Sequence, residues 1–277
     1  MKKFLVIGNP IEHSLSPKLH NHWIKQNNIN ATYDRRLLTE DDIEKIVNDV
    51  KKNKIDGINV TIPFKKSVLP FLDKLTPLAK VTQSVNTIFR ENEKIVGDNT
   101  DVGGFEQALR HINYSVKNKK IFILGAGGVT PSIILALTKL GAFEITLSNR
   151  TREKAENMKK KYSTLKVIDW GELPDFDILR DFNMIINTTS LGLSKFDEKV
   201  KINYAIAGSD KKPGSNKLFY DVIYNPKETN FLSTAREHGA QTENGKMMFI
   251  YQAQLAFKTW HNILPKIDNE TMKLLDL

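Results

Sequence analysis

Ile121-Phe122-Ile123-Leu124-Gly125-Ala126-Gly127-Gly128 is the segment from which the architecture of this chain can be read. Four consecutive apolar residues suit a strand buried on both faces, and the glycine cluster behind them supplies a turn from which a helix can start at once. The helix is expected from about Pro131 to Leu140 and the next strand from Glu144 to Ser148. In such a strand-turn-helix-strand unit the first glycine permits the tight turn. The second lets the backbone approach a pyrophosphate, which sits at the positive end of the helix. The third position of the fingerprint holds Thr130 instead of Gly or Ala, and Pro131 removes one N–H near the phosphate cradle.

The same alternation runs outward in both directions. Downstream, residues 151–161 read as a helix, and 184–187 and 218–222 as strands. Upstream, 4–7, 33–38, 57–60 and 85–89 read as strands, with helical periodicity over 17–26 and 41–52. Ser16 is placed to cap the first helix, with Pro17 in its opening turn, and Thr39 to cap the second. Repeated βαβ units imply a parallel sheet covered on both faces. The stretch 197–216, rich in Lys, Gly, Ser and Pro, reads as a surface connection, and 245–263 and 270–277 as helices that pack back on the first domain.

At 277 residues the chain is large enough for two ordinary cores. Hydrophobic residues at 40% and charged residues at 26% lie near globular averages and argue against global disorder or a membrane protein. The longest pure apolar run, Ile133 to Leu137, is far below a spanning length. Lys2-Lys3 before Phe4 to Ile7 imitates a signal peptide, but Gly8-Asn9-Pro10 ends the run without a small-residue cleavage site. With no cysteine, disulfides, thiolate nucleophiles and Cys-ligated zinc are excluded, and a cytoplasmic protein is expected. The net charge of +9 favours anionic ligands. Its basic residues are spread along the chain without a basic arm or nucleic-acid motif, so phosphate-bearing cofactors are a better use for it than nucleic acid. The six histidines show no metal-ligand spacing, and no metal is expected.

After the strand at 144–148 stands Asn149-Arg150-Thr151, where an NAD-selective site would carry an acid for the ribose 2′-hydroxyl. Arg150 can meet a 2′-phosphate with its planar fork, Lys154 follows one turn later, and Thr151 adds a hydroxyl. NADP is therefore expected over NAD. A second constellation comes from Asn59, Thr61, Lys65, Asn86, Asn99 and Asp101, at the ends of neighbouring expected strands. Lys65 lies two residues after Pro63, on an expected strand-to-helix corner, and Asp101 opens a helix that it would otherwise merely cap. A carbonyl that accepts a hydride needs a proton; a lysine can supply it, and an adjacent carboxylate can orient that lysine. Lys65 and Asp101 are the candidates for these roles. The hydroxyls of Ser14 and Ser16 can donate to a substrate carboxylate.

These residues, over nearly the whole chain, resemble shikimate dehydrogenases. The matching segments are 7–17, 59–65, 85–87, 99–101, 125–128, 149–151, 187–189 and 220–226, with Gly245, Met248 and Gln252-Ala253 near the end. The resemblance implies reversible reduction of 3-dehydroshikimate to shikimate by NADPH, on the way to aromatic amino acids, with Lys65 and Asp101 as the catalytic pair. Ser14 and Ser16 would hold the substrate carboxylate, and Thr61, Asn86, Asp101 and Gln252 its ring hydroxyls. Tyr224 and Gly245 would line the cleft. The cofactor would meet Gly125, Ala126, Gly127, Gly128 and Val129 in the turn, then Asn149, Arg150, Thr151 and Lys154, and also Val222 and Gly245.

The implied fold is α/β in two domains. One is an N-terminal substrate domain with a mainly parallel sheet, residues 1–102 plus 245–277, and the other a Rossmann-type NADP domain, residues 103–244. A monomer or homodimer is expected. The chain departs from the family pattern at Gln83-Ser84 beside Asn86, at Pro77 and at Thr130-Pro131. A quinate/shikimate dehydrogenase of broader substrate and cofactor use is the nearest alternative. A catalytically silent NADP-binding module is another, opposed by the presence of both Lys65 and Asp101.

Overall fold

The computed structural model describes residues 1–170, 179, 181–193 and 217–275. The surface connection expected over 197–216 and the last two residues of the expected terminal helix lie outside the described residues. The chain forms two compact units, Met1–Gln107 with Ile250–Asp276, and Ala108–Phe249.

In the first unit the order is β1 (Lys2–Gly8), α1 (Ser16–Gln26), β2 (Ala31–Leu37), α2 (Ile43–Lys51), β3 (Gly57–Val60), β4 (Lys74–Leu75), α3 (Pro77–Thr82), β5 (Thr87–Glu91), β6 (Lys94–Asp98) and the start of α4 (Asp101–His111), whose last residues, from Ala108, belong to the second unit. The sheet runs β2-β1-β3-β5-β6-β4. β1 is parallel to both β2 and β3, as expected, but β5 lies antiparallel to β3 and to β6. β6 turns back on β5 through a tight hairpin in which Asn92 and Glu93 both take positive φ, 48° and 65°. Hairpin loops demand that conformation and usually signal it with Asn-Gly; a glutamate at the second position hides it in sequence.

Helix α2 buries Ile43, Ile46, Val47 and Val50, the i, i+3, i+4, i+7 stripe of an amphipathic helix. These side chains share one core with Leu5, Ile7, Ile58, Val85 and Ile88, and each fully buried aliphatic contributes about 1.5–3 kcal/mol. Thr39 precedes this helix, its N–H and hydroxyl both donating to the Asp42 carboxylate. Ser16 does not cap α1: the cap position is Leu15, and Ser16 is already helical.

The second unit holds β7 (Lys120–Leu124), α5 (Thr130–Lys139), β8 (Glu144–Asn149), α6 (Arg152–Lys161), β9 (Leu165–Asp169), β10 (Met184–Asn187), β11 (Leu218–Asp221), α7 (Asn230–Glu237) and β12 (Gln241–Glu243). Its sheet, β12-β11-β10-β7-β8-β9, is parallel at every pairing. β10 and β11 are buried at each position, which is why their apolar runs do not alternate.

Two helices follow, α8 (Lys246–His261) and α9 (Asn269–Leu274). From Ile250 onward this segment belongs to the first unit. There the Trp260 indole donates to the Ile88 carbonyl at 3.2 Å, and Trp23 donates to the Lys266 carbonyl at 3.2 Å. No described helix is long and apolar enough to cross a membrane.

Candidate active site

The sheet of the first unit gathers the polar constellation at one edge. β1 and β3 are parallel and in register at Ile7 and Val60, so the loops that follow them leave side by side. They touch: Asn9 N–H donates to the Ile62 carbonyl at 2.9 Å, and a side chain at Gly8 would collide with Thr61 Cγ2 at 2.6 Å. Because β5 runs the other way, its start, not its end, meets this edge, and Asn86 just before it bonds Val60 through its carbonyl. β6 returns antiparallel to β5, setting Thr87 against Asp98. Asn99, Thr100 and Asp101 follow at the same edge. Antiparallel insertion thus brings together residues that an all-parallel order would also have gathered, by a different route.

Lys65 sits in consecutive turns leading to a short 3-10 segment, and not on the strand-to-helix corner expected for it. Phe64 N–H bonds the Thr61 carbonyl, and the Lys65 carbonyl accepts from Val85 N–H at 2.8 Å. Lys65 Nζ lies 2.5 Å from Asp101 Oδ2, with side-chain exposures of 11% and 6%. Asp101 is not needed as a helix cap, since Asn99 Oδ1 accepts from Val102 N–H at 3.3 Å.

The other carboxylate oxygen, Oδ1, accepts from Asn86 Nδ2 at 3.0 Å, and that amide also reaches Gln252 Oε1 at 3.3 Å. Lys65, Asp101, Asn86 and Gln252 therefore form one cluster. Ser14 and Ser16 lie in the loop after β1 and at the start of α1, linked by the Ser16 N–H and Ser14 Oγ at 3.4 Å. Thr61 stands half-buried between the β1 and β3 loops. Beside Asn86, Gln83 turns its amide back to the Lys80 carbonyl, while Asn99 Nδ2 holds the Ser84 carbonyl at 2.8 Å.

In the second unit the glycine turn forms at the carboxyl edge of the parallel sheet. Gly125 has φ of 101°, and a side chain there would meet Thr188 and Thr189 at under 3 Å. Gly127 faces open space, with nothing nearer to an added Cβ than the Thr188 carbonyl at 3.8 Å. This leaves its backbone approachable. Thr130, unusual by the sequence pattern, is fully buried and closes the turn by donating to the Gly125 carbonyl at 3.0 Å.

Asn149 ties the turn to the end of β8: its Oδ1 accepts from Ala126 N–H at 3.0 Å, and its Nδ2 donates to the Thr151 carbonyl at 2.8 Å. Arg152 is engaged by Asp169 and Glu156. Arg150 and Lys154 are exposed and make no ion pair among the described residues. These features fit a phosphate-bearing dinucleotide: an accessible glycine backbone, an opening helix end and unpaired cations beyond the next strand.

Val222, Tyr224 and Gly245 come together at the end of β11. Gly245 N–H donates to the Ile223 carbonyl at 2.9 Å, and an added side chain there would drive into the Val222 carbonyl. Tyr224 stacks on Phe249 with ring centroids 4.3 Å apart. Asp221 underpins this loop. Burial pushes its carboxyl up to about 6, opposed by donors from Ile223 N–H, the Thr229 hydroxyl and the Asn187 amide. The sequence placed Thr130 in the glycine turn and Thr188 and Asp221 in matching segments, but not their supporting contacts, because a buried threonine or aspartate carries no periodic signal.

Comparison with known proteins agrees with this arrangement. Residues 6–88 match the family model of the shikimate dehydrogenase substrate binding domain, and residues 106–222 that of shikimate / quinate 5-dehydrogenase. The shikimate dehydrogenase (NADP(+)) of Pelagibacter ubique is 55% identical over 276 residues, covering 100% of this chain and 99% of the relative. Among solved structures, shikimate dehydrogenase from Aquifex aeolicus superposes with a TM-score of 0.89 at 35% identity, covering 100% of this chain and 98% of that one. The Thermus thermophilus shikimate 5-dehydrogenase in complex with NADP(H) and shikimate gives 0.82 at 26% identity, over 99% and 98%.

Proposed function

Because this chain belongs to the shikimate dehydrogenase family and is an NADP-dependent oxidoreductase interconverting shikimate and 3-dehydroshikimate, we propose that Lys65 and Asp101 are the pair through which it moves the proton. The observation that carries this reading is the buried 2.5 Å contact between Lys65 Nζ and Asp101 Oδ2, beside the polar cluster of Asn86 and Gln252. When bound, NADPH supplies the hydride that reduces the ketone.

In the direction of reduction Lys65 donates a proton from Nζ to the oxygen that becomes the hydroxyl; in oxidation it takes that proton back. Asp101 keeps the ammonium aimed. Ser14 and Ser16 bind the substrate carboxylate, and Thr61, Asn86, Asp101 and Gln252 its ring hydroxyls. The turn residues Gly125, Ala126, Gly127, Gly128 and Val129 hold the pyrophosphate. Asn149, Arg150, Thr151 and Lys154 hold the 2′-phosphate end, and Val222, Tyr224 and Gly245 shape the nicotinamide end. On this reading residues 1–102 with 245–277 hold substrate and residues 103–244 hold cofactor.

The test is Lys65→Ala assayed with shikimate and NADP+. Turnover should fall by about 10²–10⁴, the usual range for a lost general acid–base group, with shikimate affinity measured by calorimetry changing little. Parental turnover would remove Lys65 from the mechanism.

A further inference from the structure

A buried hydrogen-bond chain runs behind the proposed proton-transfer pair, and each of its polar links has one sense. The Tyr33 phenol donates to Asn59 Oδ1 at 2.7 Å. Asn59 Nδ2 donates to Thr87 Oγ1 at 3.1 Å, the Thr87 hydroxyl to Asn86 Oδ1 at 3.2 Å, and Asn86 Nδ2 to Asp101 Oδ1 at 3.0 Å. Backbone partners force this direction. Asn59 Nδ2 also donates to the Asn86 carbonyl at 3.0 Å, an acceptor only, which orients its amide. Asn86 Oδ1 accepts from Thr100 N–H at 2.8 Å, a donor only, which orients the second amide. Thr87, receiving a hydrogen from Asn59, has its single proton left for Asn86.

All five residues are at most 6% exposed, so water does not substitute for a missing link. The head of the chain is rigid. The Tyr33 backbone exchanges two hydrogen bonds with the Asn21 side chain, and its ring stacks on His20 at 4.2 Å and 6°.

We propose that Tyr33, Asn59 and Thr87 are positioning residues for the reaction, forming a one-way hydrogen-bond relay that locks Asn86 and, through it, the Asp101 carboxylate that aims Lys65. The proposal rests on the reading of Lys65 and Asp101 as the proton-transfer pair. Each acts through Asn86, and none is assigned a step of proton transfer. Their contribution is orientation: a carboxylate fixed at one oxygen by Asn86 presents the other to the ammonium in a single geometry.

The experiment compares Thr87→Val, Thr87→Ser, Tyr33→Phe and the Tyr33→Phe/Thr87→Val double variant, each checked for folding by circular dichroism, in steady-state oxidation of shikimate by NADP+. Thr87→Val keeps the volume and cuts the relay at its middle; Tyr33→Phe removes only its first donor and serves if the valine protein does not fold. Each should lower kcat about threefold to tenfold, the span of one lost hydrogen bond, with KM for NADP+ unchanged. Thr87→Ser, which retains the hydroxyl, should keep kcat near the parent. The double variant should be no slower than the worse single one, since a relay cut once has little more to lose.

Parental kcat in Tyr33→Phe and in any folded Thr87→Val protein overturns the relay, as do multiplicative losses in the double variant or a serine protein as slow as the valine one. Loss of turnover in Lys65→Ala beside parental Thr87→Val sinks the relay alone. Parental turnover in Lys65→Ala sinks the reading beneath it.

Discussion

Arg150 and His20 show how differently two basic residues can be used. Arg150 is exposed beyond β8, while the neighbouring Arg152 is occupied by Asp169 and Glu156. If Arg150 carries the 2′-phosphate contact, Arg150→Asp should shift the NADP-to-NAD ratio of kcat/KM by about tenfold to a hundredfold, the worth of a charge-assisted hydrogen bond. An unchanged ratio would refute the contact. His20 instead is 1% exposed inside a cluster with Trp23, Tyr33, Phe257 and Trp260, and neither ring nitrogen has a hydrogen-bond partner among the described residues.

Burial, with a smaller contribution from His261, lowers the pKa of His20 from 6.5 to about 3. The unfolded chain therefore takes up a proton as pH falls below 6.5 and the folded one does not. Stability from this group is present above that value and is lost on acidification toward 3. His20→Phe keeps an aromatic ring and should remove about 2 kcal/mol of the stability loss between pH 7 and 5, measured by urea unfolding at both pH values. A variant with the parent's full acid sensitivity would contradict this. The sequence showed His20 only as a histidine on a helix. Its neutrality depends on rings from Tyr33 and Phe257, which no local pattern announces.

At the scale of elements, the close contact between β3 and α8 is a sharp constraint. An added Cβ at Gly57 would meet the rigid Trp260 indole, whose Cε2 would be 2.7 Å away, and that indole is held by the Ile88 carbonyl. Gly57→Ala should therefore destabilise the protein by about 1–3 kcal/mol, as overpacking does, read from the urea midpoint. A neutral effect would mean that the helix shifts freely. Strand and helix positions were largely legible: β3 and β10 occupy the residues expected of them, and α2, α5 and α6 lie within a few residues. β4, β6, β9 and β12 were not expected. β6 was hidden by the Asn92-Glu93 turn, and β4 and β12 are too short for alternation to register. The reversal of β5 against β3 was not expected either, although Asn86 was still assigned to the right edge.

For the whole molecule, two compact units with separate sheets make a division of labour measurable. Hydrogen exchange with shikimate should slow amides around 59–65 and 86–101, and NADP+ should slow those around 121–151, because a ligand protects the segment it holds closed. NADP+ protection confined to residues 1–102 would overturn the assignment of cofactor to 103–244. The chain's linear order already contained the elements, the glycine turn and the polar residue types. Hydrophobic periodicity and turn chemistry are interactions between near neighbours and survive in one dimension. Folding settled which of those groups meet. Lys65 and Asp101 are 36 residues apart, and their pairing depends on the β5-β6 hairpin, which returns the chain to the edge where Asn86 sits. The buried relay from Tyr33 depends likewise on strands that only folding brings together, with burial in a common sheet excluding water from its amides and hydroxyls.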